Sequence, residues 1–277
     1  MPELPDLLHV VARLSASLSG RAVTAERLRE PVVLRFTVRG NLSLLLGRTL
    51  REVGRHSHWI LLRFEGLDLV VNPMLAGRFR LAPPGEPDEK SLAFALAFGD
   101  VELRYLDEKK MGKAFLVAAG DFQAIAGFHT GAVDVLSAEF TRERFISLLR
   151  HRRDQVRVFL LDKKALDSIG NAYADEILFA AGIHPKTWCR ALGHDEAVRL
   201  HDAIVSVIRE AAAEVARRDE PPEVKVRDFL RVRLREVCPR CGDKLRVAGV
   251  KGMDAYFCPH CQPPTRPAFV DWSRTGG

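Results

Sequence analysis

Long apolar stretches are missing from this chain of 277 residues. Runs such as Leu44–Leu46 and Leu69–Val71 fall far short of the roughly 20 residues that a membrane-spanning helix needs. The opening MPELPDLL carries acids at Glu3 and Asp6 and no basic n-region, so it does not read as a signal peptide and a cytoplasmic protein is expected. Cysteine is scarce. Of five, Cys189 stands alone and the other four crowd into the last forty residues, which argues against a disulfide scaffold spread through the chain. No large surplus of one charge exists, since 42 Lys+Arg face 36 Asp+Glu for a net +6. Attraction to a polyanion would therefore have to come from local crowding of cations. With 47% hydrophobic and 28% charged residues, the composition suits a soluble, well-cored protein long enough for two domains.

Apolar side chains at 4, 7, 8, 11, 14 and 18 form one helical stripe, and Gly20 follows as a stop. From Val32 the pattern shortens. LRFTVRGNLSLLLG, REVGRHSHWILLRFEG, LDLVVNP, GDVELRYLD, KAFLVAAG and DFQAIAG predict a strand-rich layer over about 30–130, a sandwich or flattened barrel. LAPPGEPDEK at 81–90 is a loop by its Pro and Gly content. After Gly131 helical periods take over in AEFTRERFISLLRHR, DKKALDSIG, NAYADEILFAAG and GHDEAVRLHDAIVSVIREAAAEVARR, with Asp195 expected to cap the last of these. Strands segregated from helices give an α+β chain. The expected division is residues 1–132, then a helical region 133–222, then a metal module 223–277.

Cys238-Pro-Arg-Cys241 and Cys258-Pro-His-Cys261 are two CxxC knuckles. Each can turn two thiolates toward one tetrahedral ion, and all-sulfur ligation favours a single structural Zn2+. The intervening KLRVAGVKGMDAYF alternates apolar positions and contains Gly252, as a β-hairpin would; a module this small needs the metal in order to fold. His260 is not needed as a ligand. Around the module, Lys and Arg from Lys225 to Lys251 far outnumber the acids Asp228, Glu236 and Asp243. This is the local crowding that the overall charge leaves open, suited to contacting phosphates. Removal of Met1 would expose the secondary amine of Pro2. Such an amine can attack the C1′ aldehyde of a sugar that has lost its base, with Glu3 placed to move protons.

MPELPD at the start, GNAYADEILFAAGIHP at 170–185 and the two-knuckle hairpin, in this order, resemble the formamidopyrimidine-DNA glycosylase/endonuclease VIII family along essentially the whole chain. The resemblance implies an N-terminal β-sandwich preceded by a helix, a helical helix-two-turn-helix domain and a C-terminal zinc-finger hairpin, with damaged or abasic double-stranded DNA between domains. It implies a monomer that cleaves DNA through a proline iminium, by β- or β,δ-elimination, the family's proline chemistry favouring the latter. Pro2 would be the nucleophile, Glu3 the acid/base for sugar-ring opening, and Asn171 a phosphate ligand, while Tyr173 and Glu176 would organise the turn.

Departures from the family pattern gather on the groups that read the base. His58 stands where the formamidopyrimidine branch has lysine. NPMLAG at 72–77 puts Asn72 in place of histidine and Leu75, with Met74 one register off, in place of the methionine that fills the void of an everted nucleotide. DEKKMG at 107–112 replaces two arginines by Lys109 and Lys110, which lack the planar guanidinium fork, and an aromatic by Met111. Met253 falls where a phosphate-clamping arginine is usual, with Lys251 nearby as the substitute. These changes imply lyase activity at abasic sites with an altered or narrowed set of base lesions. Two rivals are a non-catalytic DNA-binding protein that senses damage or junctions, and a zinc-stapled protein-interaction domain. The second leaves GNAYADE and the basic stretch unexplained.

Overall fold

The computed structural model describes residues 2–264. They fall into two compact units, one built from residues up to His129 together with Ala212–Val226, the other from Thr130–Ala211 together with the chain from Arg227 onward. No helix among the described residues is long and apolar enough to cross a membrane.

The first unit opens with helix α1 (Leu4–Leu18), as the apolar stripe requires. Leu4, Leu7, Leu14 and Leu18 are all buried, each worth roughly 1.5–3 kcal/mol of apolar transfer. Nine strands follow: β1 (Ala25–Leu28), β2 (Leu34–Phe36), β3 (Leu50–His56), β4 (Trp59–Phe64), β5 (Leu67–Asn72), β6 (Arg78–Ala82), β7 (Leu92–Ala97), β8 (Glu102–Leu106) and β9 (Lys113–Ala118). They form a four-stranded sheet, β1-β7-β8-β6, and a five-stranded sheet, β2-β9-β5-β4-β3. All pairings are antiparallel except β2 with β9. Ile60, Leu62, Leu69 and Leu116 of one sheet meet Phe79, Phe94, Leu96 and Leu103 of the other in a single core, as in a sandwich.

Period-two alternation sends Trp59, Leu61, Val70 and Val117 to the outer face of the five-stranded sheet, where Ile125 and Phe128 cover them. That is why β4 and β5 read as unbroken apolar runs. Two expected strands are absent. DFQAIAG forms turns, because Gly120 and Gly127 take positive φ and Phe122, Ile125 and Phe128 recur every third residue rather than every second. LSLL at 42–45 is a short 3-10 turn capped by the Asn41 side chain, which accepts the Ser43 N–H at 2.9 Å.

The second unit holds α2 (Arg142–Arg150), α3 (Val156–Leu160), α4 (Asn171–Ala181), most of α5 (His194–Arg218) and a hairpin of β10 (Arg246–Val250) and β11 (Met253–Phe257). Thr141 caps α2 by accepting the Arg144 N–H at 3.2 Å. Asp195 does not cap α5: the helix already includes His194, and Glu196 reaches back to the Gly193 N–H at 2.9 Å. Asp195 and Glu196 instead place negative charge in the first turn, where the helix dipole favours it. DKKALDSIG at 162–170 forms turns rather than the expected helix, with Ser168 at positive φ, but architecture and element order otherwise match the α+β expectation of sandwich, helical region and two-knuckle hairpin.

Candidate functional site

Glu3 is the N-cap of α1, and its own N–H donates to Asp6 Oδ2 at 2.8 Å. Asp6 thus performs the capping-box role more often given to glutamate or glutamine. Pro2, Glu3 and Asp6 are all buried, so the chain start is pinned rather than frayed. Pro2 lines a recess together with Asp6, Pro73, Gly77, Arg78 and Glu223. The recess brings the expected nucleophile beside the segment expected to fill a void in DNA.

That segment is a tight turn between β5 and β6. Buried Asn72 accepts the Met74 N–H at 3.0 Å, and Gly77 N–H closes the turn on Pro73 O at 2.8 Å. Met74 takes a positive φ and is half-buried, whereas Leu75 is 50% exposed. An apolar side chain held out on a hydrogen-bonded turn is the geometry that a wedge needs. His58 occupies the β3–β4 turn, half-buried, its Nδ1 3.1 Å from Ser57 Oγ and its ring stacked on Trp59.

The 107–112 loop is tied by Asp107, whose carboxylate accepts the Lys109 N–H at 3.2 Å and the Gly112 N–H at 2.5 Å. Lys109 and Met111 are exposed; Lys110 is bridged to Glu30 at 2.7 Å. Arg78, exposed on β6, lines both the Pro2 recess and a second one formed with Glu30, Asp107 and Lys110. Nothing in the sequence patterns singled it out.

In the second unit Asn171 is the first residue of α4. Its carbonyl accepts from Arg157 at 3.1 Å, which leaves the –NH2 as the donating end of the amide. Arg157 is fully buried; its Nε donates to Asp175 at 2.8 Å and its NH2 also to Asp254 O at 2.7 Å. Arg233 reaches the other Asp175 oxygen at 2.7 Å and Asp254 O at 3.0 Å, with its guanidinium over the Tyr256 ring. Two guanidiniums on one carboxylate leave one positive charge in excess beside Asn171.

Sequence patterns missed this cluster because residues 157, 175, 233 and 254 meet only in the fold. Lys251 pairs with Asp154 at 3.4 Å, and Met253 is 40% exposed. Glu176 is buried and accepts the N–H groups of Arg231, Val232 and Arg233 at 2.8–3.0 Å. Burial, the larger influence, pushes its carboxyl pKa up against those donors. It fixes the segment that carries Arg233. Tyr173 is wholly buried, with Arg227 over its ring.

The sulfur atoms of Cys238, Cys241, Cys258 and Cys261 all lie within 4.8 Å of one another, with Cys238–Cys261 at 3.9 Å and Cys241–Cys258 at 3.5 Å. Tetrahedral ligation at about 2.3 Å per bond separates sulfurs by about 3.8 Å, so the four are positioned to coordinate one structural Zn2+. His260 is exposed and turned to Asp243 at 3.5 Å, outside the ligand set. The module packs on α4: Cys238, Leu245 and Cys258 share a cluster with Phe179, and Gln262 donates to Ile183 O at 2.8 Å. Cys189 is buried, and its pKa is pushed up to about 12 by that burial; it is a small core residue.

Comparison with known proteins follows the same order along the chain. Residues 1–114 match the formamidopyrimidine-DNA glycosylase N-terminal domain, 132–218 its H2TH domain and 235–264 the zinc finger found in FPG and IleRS. The formamidopyrimidine-DNA glycosylase of Desulforamulus reducens is 33% identical, covering 95% of this chain and 99% of its own. That of Salinispora arenicola is 31% identical over 97% and 99%. Among solved structures, the MutM (Fpg) protein of Thermus thermophilus superposes with a TM-score of 0.83 at 29% identity, covering 95% of this chain and 99% of that one. The Lactococcus lactis Fpg in complex with DNA containing an abasic site gives 0.85 at 25%, covering 94% and 99%. With capped N-terminus, sandwich, GNAYADE helix and four-cysteine hairpin all in sequence, the chain belongs to the formamidopyrimidine-DNA glycosylase/endonuclease VIII family.

Proposed function

We propose that the chain is a bifunctional DNA glycosylase and abasic-site lyase acting on double-stranded DNA, with lyase chemistry intact and base recognition altered. The observation that carries the reading is Pro2 itself, buried beside the capped start of α1 and lining a recess with the turn that presents Leu75. Once Met1 is removed, the Pro2 nitrogen attacks C1′. On a damaged nucleotide this expels the base, and on an abasic site it expels water. Glu3 protonates the ring oxygen as the sugar opens, and the iminium that remains acidifies the C2′ proton. Loss of that proton breaks the bond to the 3′ phosphate; where the δ step follows, loss of the C4′ proton from the conjugated iminium expels the 5′ phosphate, and water then hydrolyses the iminium to free the amine.

Around this chemistry Leu75 is assigned to the void left by the everted nucleotide. His58, Lys109 and Lys110 contact DNA from the first unit. In the second, the Asn171 amide donates to a backbone phosphate. The cation beside it, lost where Met253 replaces the usual arginine, is supplied by Arg233 together with Lys251, while buried Arg157 orients the Asn171 amide. The zinc hairpin holds Asp254 O against both guanidiniums. The expected segmentation gives these roles to residues 1–132, 133–222 and 223–277, the last including 265–277 outside the described residues, whereas the compact units place 212–226 with the first and the hairpin with the helices.

Two outcomes follow directly. Leu75→Ala is expected to slow excision of a damaged base roughly 10-fold, because truncation removes apolar contact worth about 1–2 kcal/mol. Cleavage at an abasic site, whose sugar turns out without a base to unstack, should change much less; single-turnover incision of the two duplexes compares them. Arg233→Met is expected to reduce the slope of log affinity against log salt by about 1, measured by titrating abasic duplex at several salt concentrations. An unchanged slope would take Arg233 out of phosphate contact. The reading as a whole is tested by incision of a panel of lesion duplexes with an abasic duplex as internal control. Binding without incision of any of them, by protein shown by intact mass to lack Met1, would instead support a damage-sensing DNA-binding protein.

A further inference from the structure

Two loops of the first unit carry exposed apolar tips, Leu75 on residues 73–77 and Met111, 41% exposed, on 107–112. One side chain reaches the base of both. Tyr105 projects from β8 with no exposure, its ring held between Phe79 and Phe94 at centroid distances of 5.3 and 5.2 Å. Its hydroxyl stands against the backbone of two glycines. A Cβ on Gly77 would lie 2.2 Å from the hydroxyl oxygen, and one on Gly112 only 2.0 Å. Any side chain at either position would therefore collide with it.

This hydroxyl has no hydrogen-bond partner among the described residues. Burying an unsatisfied hydroxyl is unfavourable, and phenylalanine would fill the same slot without that cost. Asp107 Oδ2, which accepts the Gly112 N–H and would lie 2.8 Å from the same Gly112 Cβ, stands in the same place as a potential acceptor but makes no hydrogen bond with the hydroxyl. Burial, reinforced by the Asp107 charge, pushes the phenol pKa far up, so the group stays a neutral donor.

We propose that Tyr105 is a positioning residue for nucleotide eversion. Its hydroxyl spaces the two loops in the free protein and donates to Asp107 only when the 107–112 loop shifts onto DNA, releasing the Gly112 N–H. The inference rests on the proposed function, because that reading assigns Leu75 and the 107–112 loop to DNA.

The test is Tyr105→Phe in the full-length, zinc-loaded protein. Aminopurine, a fluorescent base analogue, is placed opposite an abasic site, and its signal is followed on rapid mixing. Thermal unfolding and borohydride trapping on the same duplex are recorded alongside. Losing the orphan hydroxyl should raise the unfolding temperature by about 2–6 °C. Losing the bound-state hydrogen bond should slow the aminopurine change about 3–10-fold, with trapping retained. A side chain that merely supports the fold would not raise stability and slow eversion together. An unfolding temperature that falls or stays unchanged, or an aminopurine rate within twofold of the parent, overturns the inference. Failure of the parent protein itself to trap abasic DNA would sink the proposed function instead.

Discussion

Replacing Pro2 by glycine is expected to cut strand cleavage at abasic sites by at least about 100-fold, with zinc content and DNA affinity close to those of the parent. Glycine still permits removal of Met1 and still offers an amine, so the comparison isolates what proline contributes. That contribution is a secondary amine whose iminium carries a permanent positive charge, on a ring that cannot swing away from the recess. Pro2 and Glu3 are both buried where Asp6 ties down the Glu3 backbone, so the nucleophile is held by the same capping box that starts α1. A flexible glycine loses that placement, and misplacement of a reacting atom is costly. Quenched-flow cleavage of an abasic duplex at saturating protein measures the effect on the chemical step alone.

Cys258→Ser is expected to have a comparably large effect by another route. Zinc should fall from one equivalent per chain toward none, and affinity for abasic duplex should drop by roughly 100-fold or more. The metal stabilises a module whose apolar content is little more than Leu245, Ala248, Val250, Ala255 and Phe257, too little to fold alone. When it unfolds, Asp254 O no longer holds Arg157 and Arg233. Two charge-assisted contacts at about 1.5 kcal/mol each account for a 100-fold loss. Metal analysis and a binding titration on one preparation check both parts. Full zinc with weakened binding would point to a direct role of the knuckle, and zinc loss with unchanged affinity would contradict the account.

What the sequence made legible was local. The α1 stripe and each CxxC knuckle depend on residues within a few positions of one another, and each stands where its spacing places it; Leu75 is marked only by the family resemblance, and it is exposed on its turn. The 121–128 segment misled because its apolar residues are three apart, a pattern that covers a sheet face without joining the sheet. The Arg157–Asp175–Arg233 cluster could not be read at all. Its members are separated by eighteen and fifty-eight residues, and only the packing of α3, α4 and the pre-hairpin segment brings them together. Tyr105 was invisible for a different reason: its interest lies in what its hydroxyl lacks, and no spacing encodes an unsatisfied group.

The central claim is that the Pro2 nitrogen bonds to C1′ of the sugar. Borohydride reduction of the protein lacking Met1 on an abasic duplex, followed by peptide mass mapping of the adduct, tests this most directly. One reduced adduct per chain, carried on Pro2, is the expected result. No adduct, or an adduct carried by a lysine such as Lys109 or Lys110, would contradict it.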